Sequence, residues 1–134
     1  MQPGTKSITL MPIQNMSRAI GFYTKSLGAK IRARGSRSMR DYWAELELCG
    51  SLFWLVKPSP RESRKLAYTT FMVRNIRTAT SRLQAKGVRF QKGVATNSDS
   101  RVVGPVVYEP FGAAAYFKDS EGNLLMLWQN SSGM

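Results

Sequence analysis

The sequence predicts an α+β protein made of two β-α-β-β-β modules whose sheets curve around a cavity. Three observations carry that expectation. A helix-like segment beginning at Asn15 returns sixty positions later at Asn75, each is flanked by strand-like runs, and each module then continues with hairpin signals in place of a second helix.

The first helix is expected over Asn15–Gly28, with an Asn N-cap, apolar residues at Ala19, Ile20, Phe22, Tyr23 and Leu27, and a glycine stop. The second, Asn75–Gly87, repeats the design with Ile76, Ala79, Leu83 and Ala85. Strands are expected before them at Ser7–Ile13 and Ala67–Val73, and after them at Ala29–Arg34 and Val88–Gln91. Asp41–Cys49 alternates, with Tyr42, Ala44, Leu46 and Leu48 facing one way and Asp41, Trp43, Glu45 and Glu47 the other. Gly50-Ser51 turns the chain into Leu52–Val56. In the second module Val102–Tyr108, Ala113–Phe117 and Leu124–Gln129 read as strands, the last after the Asp119–Asn123 turn. Ala95–Gly104 reads as a mobile loop over the cavity.

At 134 residues the chain is one domain, 1–134, with module one about 6–57, a linker about 58–66 and module two about 67–130. One face of each sheet is covered by its helix, and the other is expected to be buried against the same face of the other module, enclosing the cavity. The sequence leaves open whether the modules pair within a chain or across a dimer.

Composition excludes several chemistries. There is no histidine and only one cysteine, Cys49, so a Ser-His-Asp triad, a Cys-His dyad, a Cys/His zinc site and an intrachain disulfide are all ruled out. Cys49 is expected to be a buried small hydrophobe. Met1–Met16 lacks an apolar secretory core, and the longest apolar run, Leu124–Trp128, is far short of a membrane span. The expected location is cytoplasmic, with no membrane partner. The net charge of +12, concentrated at Lys30, Arg32, Arg34, Arg37 and Arg40 and again at Lys57, Arg61, Arg64 and Lys65, attracts anions generally. It is read first as a solvated surface.

Pro12-Ile13-Gln14-Asn15 with Ala19-Ile20-Gly21-Phe22-Tyr23 and Leu27-Gly28 resembles the first-module signature of the glyoxalase/bleomycin resistance protein/dioxygenase (vicinal oxygen chelate) superfamily. Phe117–Leu125 resembles its closing motif, with Ser120 where proline is usual. Gly122 and Asn123 are expected to take the positive φ angles of a tight hairpin. The resemblance implies a metal ligand on each of four strands, and these positions fall at Ile8, Trp54, Tyr68 and Met126. None is suited to a divalent ion, so no metal and no other cofactor is expected. The superfamily's metal activation of a substrate oxygen goes with it.

On the same strand faces lie Leu10, Thr70, Met72 and Trp128, which with Trp54, Tyr68 and Met126 form an expected ligand-binding set for a flat or greasy molecule. The leading functional expectation is therefore a metal-free small-molecule binding or sequestering protein, similar to the drug-resistance members of the superfamily. Its ligand is aromatic or hydrophobic, and neutral or anionic because the chain is basic. As in many members of that superfamily, a homodimer is expected. The alternative is an atypical lyase-, isomerase- or dioxygenase-like enzyme using Glu45, Glu47 or Glu109, with Asp119 and Tyr68 as further acid/base candidates. Weak nucleic-acid binding is a third reading, suggested by the basic stretches and by Phe111–Phe117, but strict alternation over Asp41–Lys57 argues against the helix an RNA-recognition module needs there.

Overall fold

The computed structural model describes residues 8–58 and 68–131, so the expected linker falls outside it from residue 59 onward. Module one runs β1 (Thr9–Pro12), α1 (Met16–Gly21), β2 (Lys30–Arg34), β3 (Trp43–Leu48) and β4 (Ser51–Val56). Module two runs β5 (Tyr68–Met72), α2 (Ile76–Ala85), β6 (Arg101–Val103), β7 (Val106–Glu109), β8 (Gly112–Lys118) and β9 (Leu124–Asn130). Both helices start as the sequence dictates. Asn15 Oδ1 accepts from the Arg18 amide at 2.9 Å and Asn75 Oδ1 from the Thr78 amide at 3.0 Å, each satisfying a first-turn donor that has no helical partner. The first helix is shorter than its periodicity suggests, because Phe22–Ser26 widens into a π-helical turn before the chain enters β2.

The sheets share one plan. Their orders are β1-β4-β3-β2 and β5-β9-β8-β7-β6, and in each the opening strand lies parallel to the closing strand while the other pairs are antiparallel. This is the α+β arrangement of two curved sheets that the repeat implies. The alternation of β3 holds, with Ala44 and Leu46 fully buried and Trp43, Glu45 and Glu47 on the opposite face. Arg32 sits in a bulge between Ile31 and Ala33.

Module two departs from expectation in two places. Val88–Gln91 forms no strand, only an isolated bridge from Phe90 to Phe117, with the Gln91 amide bonded to Tyr116 O at 2.7 Å. This segment shares one edge of β8 with β7, which pairs with Gly112–Ala114 at the other end. The expected single strand Val102–Tyr108 is instead a hairpin of β6 and β7. Gly104 takes φ +60° and Pro105 supplies no amide, so the ladder cannot run through them. The expected loop at Ala95–Gly104 makes contacts with the end of β7. Glu109 accepts hydrogen bonds from Thr96 Oγ1 at 2.7 Å and Ser100 Oγ at 2.9 Å, and its last residues build β6.

The two modules meet through their helix-bearing faces, not through the helix-free faces expected to bury each other, which leave Leu10 and Met72 exposed. Tyr23 from the helical segment packs on Phe53 of β4, with ring centroids 5.2 Å apart, and Phe53 packs on Phe71 of β5 at 6.1 Å. Met11, Leu55, Leu46, Phe117, Leu125 and Leu127 complete one continuous core spanning both. Each such side chain contributes about 1.5–3 kcal/mol by leaving water. The sheet faces carrying the expected ligand residues point away from this core.

The Asp119–Asn123 turn also works differently from expectation. Gly122 alone has a positive φ, +87°. Asn123 is fully buried and donates to Pro12 O at 3.0 Å and to Asp119 Oδ2 at 2.8 Å, tying the turn to module one. Asp119, one of the acid/base candidates, caps the turn, accepting from the Glu121 and Asn123 amides at 2.8 Å each. Cys49 is corrected from buried to exposed, at a tight turn where it takes φ +54°.

Candidate ligand-binding faces

The open face of the first sheet is built from alternate residues of three strands. Register sets Leu10 beside Trp54, Trp54 beside Glu45, and Trp43 beside Val56. Trp54 donates its indole N–H to Glu45 Oε1 at 2.9 Å, and Trp43 meets it edge-on, with centroids 5.6 Å apart and planes at 77°. Leu10 is 54% exposed, a large apolar side chain left in solvent while its neighbour Met11 is buried in the core. Glu47, on the same face, pairs with Arg32 at the bulge.

The open face of the second sheet follows the same logic. Thr70 lies beside Met126 and Met72 beside Trp128 in the parallel ladder, while Tyr116 and Ala114 flank them from β8. Trp128 donates its N–H to Asn130 Oδ1 at 2.7 Å and stacks against Phe111, centroids 5.7 Å apart and planes at 30°. Phe111 is 65% exposed and Met72 47%. Tyr68 pairs with Leu124 in the ladder, and its side chain lies outside the described residues.

The expected ligand residues thus gather in two groups, Leu10 with Trp54 on one sheet and Thr70, Met72, Met126 and Trp128 on the other. Sequence reasoning missed Trp43 and Phe111 as members. Trp43 was visible from the alternation of β3, since it shares the phase of Glu45; Phe111 lies in a turn and no periodicity marks it. Of the enzyme candidates, Glu45 is held by Trp54, Glu47 by Arg32 and Glu109 by Thr96 and Ser100. Glu109 lies apart from the other two, at the end of β7.

The metal that the resemblance implies needs oxygen or imidazole donors at its four positions. Ile8, Trp54 and Met126 offer no oxygen or imidazole nitrogen, and among the described residues no group of three or more Cys, Asp or Glu side chains is placed to hold an ion. The residues do not fit a divalent metal at the family position.

A model of the Glyoxalase/Bleomycin resistance protein/Dioxygenase superfamily matches residues 7–127, nearly the whole chain. The chain belongs to this superfamily. Solved structures agree on the fold of this glyoxalase-superfamily protein. UcmS2 superposes with TM-score 0.73 at 22% identity, covering 95% of this chain and 98% of that one. TnmS3, described as an antibiotic binding protein from Streptomyces sp. CB03234, gives 0.71 at 21% identity, covering 97% and 100%. TioX from Micromonospora sp. ML1 gives 0.70 at 13% identity, covering 95% and 97%. No curated protein matches the chain. No helix among the described residues is long and apolar enough to cross a membrane.

Proposed function

We propose that this superfamily member is a metal-free binding or sequestering protein for an aromatic or hydrophobic small molecule, neutral or anionic, held on the open sheet faces. The observation that carries the reading is the state of the two indoles. Trp54 and Trp128 each have the N–H satisfied by a protein acceptor, Glu45 and Asn130, while both side chains stay partly exposed beside further apolar groups. Such rings are fixed in place, so a flat ligand stacks on them without first ordering them. The shared fold of the antibiotic-binding TnmS3 supports a role in drug resistance by sequestration.

A homodimer fits the same surface. Each sheet offers half of an aromatic-lined cleft, and a second copy would supply the opposing half. The single cysteine and the lack of metal-ligating histidine suit a reducing cytoplasmic setting. The enzyme reading is weaker, because Glu45, Glu47 and Glu109 are each engaged by a neighbour.

The test is a tryptophan-fluorescence titration with a panel of aromatic antibiotics, neutral, anionic and cationic, paired with native mass spectrometry. Saturable quenching by neutral or anionic members, weakened about tenfold or more by Trp54→Ala or Trp128→Ala, supports the reading. Quenching indifferent to both substitutions would sink it, and a stoichiometric divalent metal in the mass spectrum would overturn its metal-free part.

A further inference from the structure

We propose that the groove between α2 and the β3–β4 turn is a second small-molecule site, taking an amphipathic anion with an apolar body and one carboxylate or sulfonate head. It lies on the helix-bearing side of the second sheet, whereas Trp128 and Met72 lie on the opposite face. The cavity has a volume of about 580 Å³, within the range of sites that hold drug-sized molecules. Its walls are apolar, with Leu27 and Leu48 from module one facing Leu83 of α2, and Phe71 and Leu127 beneath.

The polar lining is one-sided in charge. Arg82 of α2 and Lys86, the residue that caps its C-terminal end, both line the groove, and no Asp or Glu is part of the lining. Like charges four residues apart on a helix repel, and among the described residues no carboxylate pairs with either side chain. An anionic head placed between them removes that repulsion and gains two charge-assisted partners. At the end of α2 the carbonyls of Arg82, Leu83 and Gln84 already accept from the Lys86, Val88 and Gly87 amides. The apolar body leaves water for a wall of leucine and phenylalanine. The site stands independently of the sheet-face reading.

Decanoate is the probe, titrated into the full chain with labelled leucine methyl groups and followed by NMR. Saturable shifts at Leu27, Leu48 and Leu83 are expected, with Leu10 and Leu52 unmoved. The Arg82→Glu/Lys86→Glu double variant, checked for an unchanged circular dichroism spectrum, should weaken decanoate about tenfold or more. Should that variant misfold, Lys86→Ala and Arg82→Ala read the same loss separately, and decanol, which lacks the charge, should bind wild-type protein about tenfold less tightly than decanoate. Shifts centred on Leu10 and Leu52, no saturation in the millimolar range, or equal affinity for decanoate and decanol would each overturn the proposal. None of these outcomes depends on Trp54 or Trp128, so failure here and failure of the sheet-face reading are separable.

Discussion

The Tyr23 hydroxyl donates a 2.6 Å hydrogen bond to Asp119 Oδ2, joining residues 96 positions apart and with them the two modules. Tyr23 is fully buried and Asp119 nearly so. The carboxylate also accepts from the amides of Glu121 and Asn123 and from the Asn123 side chain, so it is paid for entirely by short, directed donors. Tyr23→Phe removes one of them and leaves the charge in place. A loss of about 2 kcal/mol is expected, the value of a hydrogen bond to a buried charged group, read as a fall in the urea midpoint at unchanged slope.

The same contact gives an alkaline limit. Burial, and then the neighbouring Asp119 charge, raise the Tyr23 pKa well above its ordinary value of 10.0. The folded state therefore holds the proton more tightly than the unfolded chain. Its contribution is complete below about pH 10 and is lost as pH climbs above that. Wild-type stability should fall on titration beyond about pH 10 more steeply than that of Tyr23→Phe. Parallel curves would show that other groups govern the alkaline limb.

Glu121 sets the acid limit. Its side chain has no solvent exposure, and desolvation alone would raise its pKa, but hydrogen bonds from Arg18, the Asn15 and Gln14 amides and Ser120 outweigh it and hold the value at about 2. The carboxylate sits just ahead of α1, where the Gln14 and Asn15 amides donate to it. A depressed folded pKa stabilises the protein above the ordinary carboxylate value, and that contribution fades as pH falls from 4.5 towards 2. Glu121→Gln should cost about 2 kcal/mol at neutral pH. Its stability curve should be flatter than wild type across the same acid window in pH-resolved thermal melts.

These polar ties were not legible in the sequence, although much of the fold was. Alternation in β3 and the Asn caps of both helices are short-range patterns, and the structure follows them. Asp119, Glu121 and Asn123 are ordinary turn residues by composition. Only the approach of module one, through Tyr23, Arg18 and Pro12, turns them into a buried polar cluster. The Gly104-Pro105 break is a turn signal in the sequence, obscured by the valines around it, which look continuous. On the candidate faces, Trp54 and Met126 came from the family resemblance and Leu10, Thr70, Met72 and Trp128 from strand phase, but which acceptor satisfies each indole depends on cross-strand register and on Asn130, and register is set by both strands together.

Gly112 is a sharp probe of the second face. A Cβ there would stand 2.3 Å from the Trp128 ring and 2.6 Å from Gln129 O, too close for either. The backbone contact cannot yield cheaply, so the ring and β9 must both shift. Gly112→Ala should destabilise by about 1–3 kcal/mol and move the Trp128 emission. Ligand affinity should drop with it, while Trp54→Ala measured in the same background shows whether the first face still binds.

Glu45→Gln separates binding from catalysis at Trp54. The amide oxygen of glutamine can accept the indole N–H as Glu45 Oε1 does now at 2.9 Å, so Trp54 keeps its orientation while the group loses its charge and its capacity as a base. A binding protein should tolerate this change, retaining affinity for a neutral aromatic ligand within about threefold. Glu45→Leu leaves the indole N–H without its acceptor in a partly buried setting, at a cost of about 1–3 kcal/mol, and should weaken binding through disorder of Trp54. If the Gln variant instead abolishes turnover of a bound compound while its affinity is kept, Glu45 is acting on the ligand chemically and the protein is an enzyme.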